Sequence, residues 1–137
     1  MKTPLEIASH MLSQDAFSHW LGIDLSEVRS GYCKAQLVVR PEMLNGFHIA
    51  HGGIAYSLAD SALAFASNTY GIQCVSIETS ISHVLKVELN DVLIADAMEV
   101  YRGKKTAIYE VRVQNQHNVL VALFKGTVFI TQKEWEF

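Results

Sequence analysis

Apolar residues near the start of the chain recur at helical spacing. They lie three or four residues apart, at Leu5, Ala8, Leu12 and Ala16. Thr3 followed three residues later by Glu6, with Pro4 at the first helical position, is a capping-box sequence that begins a helix. We expect this helix to be interrupted near Ser13 and to end at Gly22.

From Gly31 onward the period of the pattern changes to two. The apolar positions are Cys33, Ala35, Leu37 and Val39, and they alternate with Tyr32, Lys34 and Gln36. This alternation predicts a strand with one face better buried than the other. Pro41 and Asn45-Gly46 then mark a turn region.

Residues 54–70 are rich in alanine and leucine and apolar on nearly all sides, and Gly71 follows as a stop signal. This pattern predicts one long helix, and a helix that is apolar all round is a buried one.

Four segments of alternating apolar and polar residues complete the chain. They are Cys74–Val84, Val92–Tyr101, Lys105–Gln114 and Val119–Thr131. Asn90-Asp91, Arg102-Gly103 and His117-Asn118 separate them and form turns short enough for antiparallel neighbours. We therefore expect four strands in a meander.

The predicted fold class is α+β, with one antiparallel sheet wrapped around the long helix so that the two bury each other's apolar surface. The absence of helices between the last four strands excludes a doubly wound parallel sheet.

Composition indicates a single domain over residues 1–137, since half of the residues are hydrophobic and 18% are charged. A net charge of −3 without charge runs predicts neither a nucleic-acid nor a membrane partner. Cys33 and Cys74 lie within strand-like apolar runs, which indicates two buried thiols and a reducing compartment. The N-terminus lacks the apolar core of a signal peptide, so we expect a cytoplasmic protein. The histidines lack the spacing that zinc requires, and no metal is expected.

Asp60 is the one formally charged residue between Ile49 and Ile77, in the middle of the predicted buried helix. Burying a carboxylate without a partner costs several kcal/mol. Either Asp60 accepts hydrogen bonds from Ser57, Ser61 or the backbone, or it faces outward, or it has a chemical role.

His51-Gly52-Gly53 immediately precedes this helix. The free N–H groups at a helix start carry a partial positive charge, and two glycines allow close approach, so this end suits a carbonyl oxygen that becomes an oxyanion. The alternative is simply a tight loop into a helix. Asn45, just upstream, is either a turn residue or one that orients a water molecule.

The distance between these groups adds a constraint. Asp60 lies seven residues after Gly53, which is roughly 10 Å along a helix. One chain cannot easily bring both to the same carbonyl, whereas two antiparallel copies of the helix could. We therefore predict a homodimer at least, with a shared site.

The run Asn45-Gly46, then His51-Gly52-Gly53, then an aspartate nine residues after the histidine, resembles the hotdog-fold acyl-CoA thioesterases, in their PaaI-like branch. The likeness extends from about Phe17 to Ile130. This chain departs from the branch at His83-Val84-Leu85-Lys86-Val87, where relatives often carry an aromatic-x-Arg-Pro run.

The resemblance implies dimers with sites at the interface, often paired into homotetramers. It implies that the Gly52 amide polarises the thioester carbonyl and that Asp60 of the partner subunit attacks it or activates water. Asn45 would hold substrate or water, His51 would shape the glycine turn, and Gly53 would contribute to substrate binding. Ser76 falls where some relatives place a water-binding hydroxyl, although an ordinary strand serine is the simpler interpretation. Four cations are candidates for the CoA phosphates or are simply solvated: Lys86, Arg102, Lys104 and Lys105.

The sequence thus favours a hydrolase that cleaves an aryl- or medium-chain acyl-CoA and needs no cofactor. A non-catalytic acyl-CoA binding module of the same fold is the alternative, and it has no need for a buried carboxylate. Dehydration of hydroxyacyl thioesters is a weaker hypothesis, because no histidine is partnered with an acid in the manner of that branch.

Overall fold

A computed structural model describes residues 1–137, and its six strands form one antiparallel sheet wrapped around a long helix. The elements are α1 (Pro4–Ser13), α2 (Ala16–Leu21), β1 (Asp24–Arg29), β2 (Tyr32–Val38), a 3-10 turn (Pro41–Met43), α3 (Gly52–Ser67), β3 (Ile72–His83), β4 (Val92–Arg102), β5 (Thr106–Gln114) and β6 (Leu120–Glu134). This architecture confirms the predicted α+β class.

The N-terminal helical region follows its sequence signals closely. The Thr3 hydroxyl accepts a hydrogen bond from the Glu6 N–H at 3.2 Å, which caps α1. The helix ends at Ser13, and α2 begins after Asp15, whose carboxylate caps it through the Ser18 N–H. Gly22 ends α2 with φ of 75°, a left-handed conformation that suits glycine. The predicted interruption and the predicted end are both confirmed.

The strand β1 was not among the elements that we predicted. It pairs only with β2, across the turn at Ser30-Gly31. Four of its six residues are exposed, and a bulge interrupts the pairing between Leu25 and Glu27. An exposed edge strand with a bulge buries too little apolar surface to show a clear alternation in the sequence.

The predicted four-strand meander is only partly correct. β4, β5 and β6 do form a meander, but β3 pairs with β6 at one edge of the sheet and β4 pairs with β2. Residues 84–91 therefore cross between non-adjacent strands. Along the way Val87 accepts a hydrogen bond from the Ala50 N–H, which ties this crossover to the loop that leads into α3. Turn-forming residues indicate where a chain turns but do not say which strand it joins next.

The core lies between α3 and the concave face of the sheet. Leu58, Ala59 and Ala62 are completely buried. Gly126 on β6 permits this close packing, since a Cβ at that position would lie 2.5 Å from Cδ2 of Leu63. α3 begins at Gly52 rather than Ile54, and it is less buried than we predicted. One stripe stays partly exposed: Gly53, Tyr56, Ser57, Asp60, Ser61 and Ala64.

Both cysteines are free and buried, as predicted. No helix has the length and apolar character needed to cross a membrane. No group of three or more His, Cys, Asp or Glu side chains is arranged to hold a metal ion.

Candidate active site

The start of α3 presents one backbone donor that no other group of the chain uses. His51 is the N-cap, and its Nδ1 accepts a hydrogen bond from the Gly53 N–H at 2.9 Å. The His51 N–H in turn donates to the Met43 carbonyl at 2.8 Å, which anchors the turn. The Gly52 N–H has no acceptor in the chain. Because the first N–H groups of a helix carry partial positive charge, Gly52 offers a free donor for an anion or a polarised carbonyl.

A pocket of about 320 Å³ opens in front of this donor, and Asn45, His51, Gly52, His83 and Lys86 contribute its polar lining. Asn45 forms an Asx turn in which Oδ1 accepts from the Phe47 N–H at 2.9 Å and the Ile49 N–H at 3.4 Å. Its side-chain NH₂ group makes no hydrogen bond within the chain. It is therefore available to a ligand or a water molecule.

His83 is a residue of this pocket that sequence reasoning did not select. It is the last residue of β3, and its ring lies over Gly52: a Cβ added to Gly52 would be 3.3 Å from the His83 Nε2. Its side chain is exposed and makes no hydrogen bond in the chain. The sequence did contain a sign of this residue. His83 is the first residue of the segment that differs from the aromatic-x-Arg-Pro run of the relatives.

Asp60 lies on the partly exposed stripe of α3 and is itself half-buried. None of the hydrogen bonds that we considered from Ser57, Ser61 or the backbone is formed, and Asp60 has no ion pair. Ser61 bonds instead to Ser18, at 2.8 Å between the hydroxyls. Burial raises the pKa of the Asp60 carboxyl, and the nearby negative charge of Asp15 raises it further. The unpaired carboxylate is left free to act on a ligand.

A second pocket of about 270 Å³ adjoins Asp60, with Ser76, Cys74 and Val75 of β3 in its lining. Ser76 is exposed and its hydroxyl has no partner in the chain. The structure therefore places Asp60 and Ser76 together, as a carboxylate and a hydroxyl on one cavity.

Gly52 and Asp60 do not meet within one chain. Asp60 lies eight positions after Gly52 in α3, which corresponds to about 12 Å along the helix. They line different pockets, one beside the helix start and one beside the Asp60 carboxylate. β3 extends past both, with Cys74–Ser76 next to the second pocket and His83 in the first. β3 is also an edge strand, since it pairs only with β6.

The four candidate phosphate-binding cations lie in two separate places. Lys86 lines the Gly52 pocket and forms an exposed ion pair with Glu88 at 3.4 Å. Lys104 and Lys105 are exposed in the turn between β4 and β5 and have no ion pair.

Arg102 is engaged within the fold. It pairs with Glu99 at 2.5 Å, donates to the Ser67 carbonyl and stacks on Tyr70 with its guanidinium carbon 3.9 Å from the ring centre. A phosphate would have to compete with Glu99 for this guanidinium, so Arg102 is less accessible than the two lysines beside it.

The aromatic residues near the central helix do not line either pocket. Phe65 is buried in the core, and Tyr70 hydrogen-bonds to Glu99. Tyr56 bonds to the Thr79 hydroxyl and packs edge-on against Phe124. Phe47 is 84% exposed on the loop before α3. Within one chain these side chains are core or surface residues.

Comparisons with known proteins identify the family of this chain. Residues 47–122 match the family described as the thioesterase superfamily. A putative esterase of Archaeoglobus fulgidus is 39% identical over 129 residues, covering 94% of this chain and 84% of that protein. The acyl-coenzyme A thioesterase PaaI of Escherichia coli is 36% identical over 119 residues, covering 87% of this chain and 85% of PaaI.

Solved structures show the same similarity. The structure of E. coli PaaI, from the phenylacetic acid degradation operon, superimposes with a TM-score of 0.93 at 33% identity and covers 96% of this chain and 95% of PaaI. A Streptococcus mutans protein solved with acetyl CoA bound gives a TM-score of 0.79 at 29% identity, covering 82% of this chain and 91% of that protein.

Proposed function

This chain belongs to the thioesterase superfamily, in its PaaI-like branch, and is a thioester hydrolase; from that premise we propose that it hydrolyses an aryl- or medium-chain acyl-CoA to the free acid and CoA. One observation carries the proposal. A single helix holds a backbone N–H without an acceptor and, about 12 Å further on, a half-buried carboxylate without a partner. Neither feature stabilises the isolated chain, and both suit the hydrolysis of a thioester.

In the proposed reaction the thioester carbonyl oxygen accepts a hydrogen bond from the Gly52 N–H. As an oxygen nucleophile adds to the carbonyl carbon, negative charge develops on that oxygen, and the helix start stabilises it. Collapse of the tetrahedral intermediate breaks the C–S bond, and CoA leaves as a thiolate that takes up a proton. Water supplies the new acid oxygen, so no cofactor is required.

Asp60 supplies the base or the nucleophile. As a base it removes a proton from a water molecule, and as a nucleophile it forms an anhydride that water then hydrolyses. Both roles need an ionised carboxylate that is not held by an ion pair. Ser76, which lines the same pocket, and the free NH₂ group of Asn45, which lines the Gly52 pocket, are proposed to hold the water or the substrate.

The active unit is proposed to be a homodimer in which Gly52 of one chain works with Asp60 of the partner subunit. The free edge of β3 carries Val75 and Ile77, which are 55% and 59% exposed in one chain. Antiparallel pairing of two β3 strands centred near Thr79 would cover these side chains. It would also set position 83 of one copy opposite position 75 of the other, so that the Gly52 pocket faces the partner's Asp60 pocket. Two such dimers would form the expected homotetramer.

The proposed substrate combines an aryl-acyl group with a CoA tail whose phosphates bind cationic side chains. The E. coli relative comes from a phenylacetic acid degradation operon, which favours an aryl-acyl group. The exposed amines of Lys86, Lys104 and Lys105 are proposed to pair with CoA phosphates, with Arg102 available only if it leaves Glu99. We propose that the protein acts in the cytoplasm.

The test is thiol release from a panel of phenylacetyl-, benzoyl- and medium-chain acyl-CoAs, run on the parent protein and on Asp60→Asn. Asp24→Asn is the matched control, because Asp24 is an exposed carboxylate on β1 without an ion pair. We expect hydrolysis by the parent and the control and loss of at least about a hundredfold in Asp60→Asn. Equal rates in the parent and Asp60→Asn would disprove the assignment of Asp60. Binding of the esters without hydrolysis by the parent would instead identify a non-catalytic acyl-CoA binding module.

A further inference from the structure

We propose that His83 is a second donor to the reacting carbonyl oxygen, acting through its Nε2–H beside the Gly52 N–H. The inference rests on the proposed function, since it concerns the same thioester carbonyl. It goes beyond that function because His83 occupies a position at which the resemblance to the PaaI-like branch assigns no chemistry.

The placement of the ring carries the inference. A Cβ on Gly52 would lie 3.3 Å from Nε2, 3.5 Å from Cε1 and 3.9 Å from Cδ2 of His83, so the Nε2 edge of the imidazole is the edge turned toward Gly52. Both residues line the same 320 Å³ pocket. An oxygen atom that accepts a hydrogen bond from the Gly52 N–H would bind in the pocket that this ring nitrogen also lines.

The chemistry of His83 agrees with this placement. Neither ring nitrogen makes a hydrogen bond within the chain, in contrast to His51, whose Nδ1 accepts from the Gly53 N–H. A neutral imidazole carries one N–H, and its Nε2–H tautomer places that hydrogen on the side of Gly52. Within one chain, no carboxylate lines the pocket.

The backbone is fixed at both His83 and Gly52. His83 is the final residue of β3 and is paired in register with Ala122 of β6, so its backbone is fixed by the sheet. Gly52 is fixed at the helix start by the His51 cap. Two donors held by separate rigid elements are preorganised toward one point, which is the arrangement that stabilises an oxyanion.

The test compares three substitutions at position 83. His83→Phe keeps an aromatic ring but removes the donor. His83→Gln places an amide NH₂ close to the position of Nε2, whereas His83→Asn places one close to Nδ1. His117→Phe is the matched control, because His117 lies in the exposed turn between β5 and β6, far from the pocket in sequence and absent from its lining. Thermal unfolding of each variant shows that it folds.

We expect kcat for the best acyl-CoA to fall about ten- to a hundredfold in His83→Phe and His83→Asn with KM little changed, because removing an oxyanion donor acts on the transition state. His83→Gln should recover a large part of the loss, and His117→Phe should match the parent. Equal kcat in the parent and His83→Phe would overturn the inference. A loss in His83→Phe that His83→Gln does not reduce would also overturn it, since packing rather than hydrogen bonding would then be responsible.

A second measurement does not depend on turnover. A phenylacetyl-CoA analogue in which a methylene replaces the thioester sulfur carries a ¹³C-labelled ketone that cannot be hydrolysed. The infrared stretching frequency of the bound ketone reports hydrogen bonds to its oxygen. We expect a lowered frequency in the parent, a partial return toward the free value in His83→Phe and a frequency near that of the parent in His83→Gln.

The two measurements separate the two proposals. If the parent does not hydrolyse acyl-CoAs but His83→Phe still alters the ketone frequency, the proposed function fails and the role of His83 as a donor stands. If the parent hydrolyses acyl-CoAs and neither kcat nor the frequency responds to His83→Phe, the role of His83 fails alone. A parent that hydrolyses no acyl-CoA and does not bind the ketone contradicts both.

Discussion

The shared site makes a prediction that a single mixing experiment can decide. Gly52→Pro removes the free N–H, and Asp60→Asn removes the charge of the carboxylate. The proline is compatible with the backbone, because the first helical position favours proline and His51 already has ψ of 139°, the extended conformation preferred before proline. Each variant alone should therefore lose activity while keeping the fold.

The size of each loss follows from the role of the group. Removal of one oxyanion donor costs roughly 3–4 kcal/mol of transition-state stabilisation, or about 10²- to 10³-fold in rate. Gly52→Ala is the matched control, since it keeps the N–H and adds only a Cβ 3.3 Å from Nε2 of His83, a contact that a shift of a few tenths of an ångström relieves. It should lose far less activity than Gly52→Pro.

The two inactive variants are then mixed, unfolded together and refolded, and thiol release is measured. In a mixed dimer of the proposed arrangement, the intact Gly52 of the Asp60→Asn chain would face the intact Asp60 of the partner subunit, so one of the two sites would be complete. Random reassembly makes half of the dimers mixed, and the activity should recover to about a quarter of that of the parent. Each variant refolded by itself should stay inactive.

The opposite result would refute the reasoning directly. If Gly52 and Asp60 acted within one chain, every site in the mixture would contain one substitution and activity would stay at the level of the variants. The 12 Å separation along α3 would then have to be bridged by the chain itself, and the antiparallel pairing of β3 would lose its support.

Two further predictions concern Asp60 and the core. Asp15→Asn keeps a side-chain oxygen that caps the Ser18 N–H but removes a negative charge near Asp60. The pKa of Asp60 should therefore fall, and the acid limb of the pH–rate profile should move to lower pH. An acid limb that stays in place or moves to higher pH contradicts the electrostatic argument. Gly126→Ala forces a Cβ to within 2.5 Å of Leu63, and we expect the free energy of unfolding, measured with urea, to fall by about 1–3 kcal/mol. Adding Leu63→Ala should restore part of this loss. Additive losses in the double variant would show that the two side chains do not compete for space.

Much of the fold could be predicted from local sequence. The Thr3 cap, the interruption near Ser13 and the left-handed Gly22 each act within a few residues, and each lies where the pattern indicates. The alternation in β2, β4, β5 and β6 also predicted those strands to within a few residues. Local signals work here because hydrogen bonding and burial at each position depend on neighbours that are close in the chain.

Longer-range relations could not be predicted in the same way. The exposed edge strand β1 has no strong pattern, and the crossover from β3 to β4 depends on which strands β3 and β4 pair with rather than on Asn90-Asp91. The sequence also did not show that the face of α3 with Asp60 is partly exposed. Alanine and serine are small enough to lie in either a core or an interface, so their presence does not distinguish the two.

For the candidate site, sequence alone determined the chemistry: a glycine N–H at a helix start, an aspartate too far along the same helix to reach it, and Asn45 in the loop before. Tertiary structure decided which groups are free. In the folded chain the Gly53 N–H donates to His51, and Arg102 pairs with Glu99. Asp60 has no partner and lies beside Ser76, and the His83 ring lies over Gly52. The physical reason is that residue types and spacing set what a group can do, whereas hydrogen-bond partners and burial, which come from distant parts of the chain, set whether it remains available to do it.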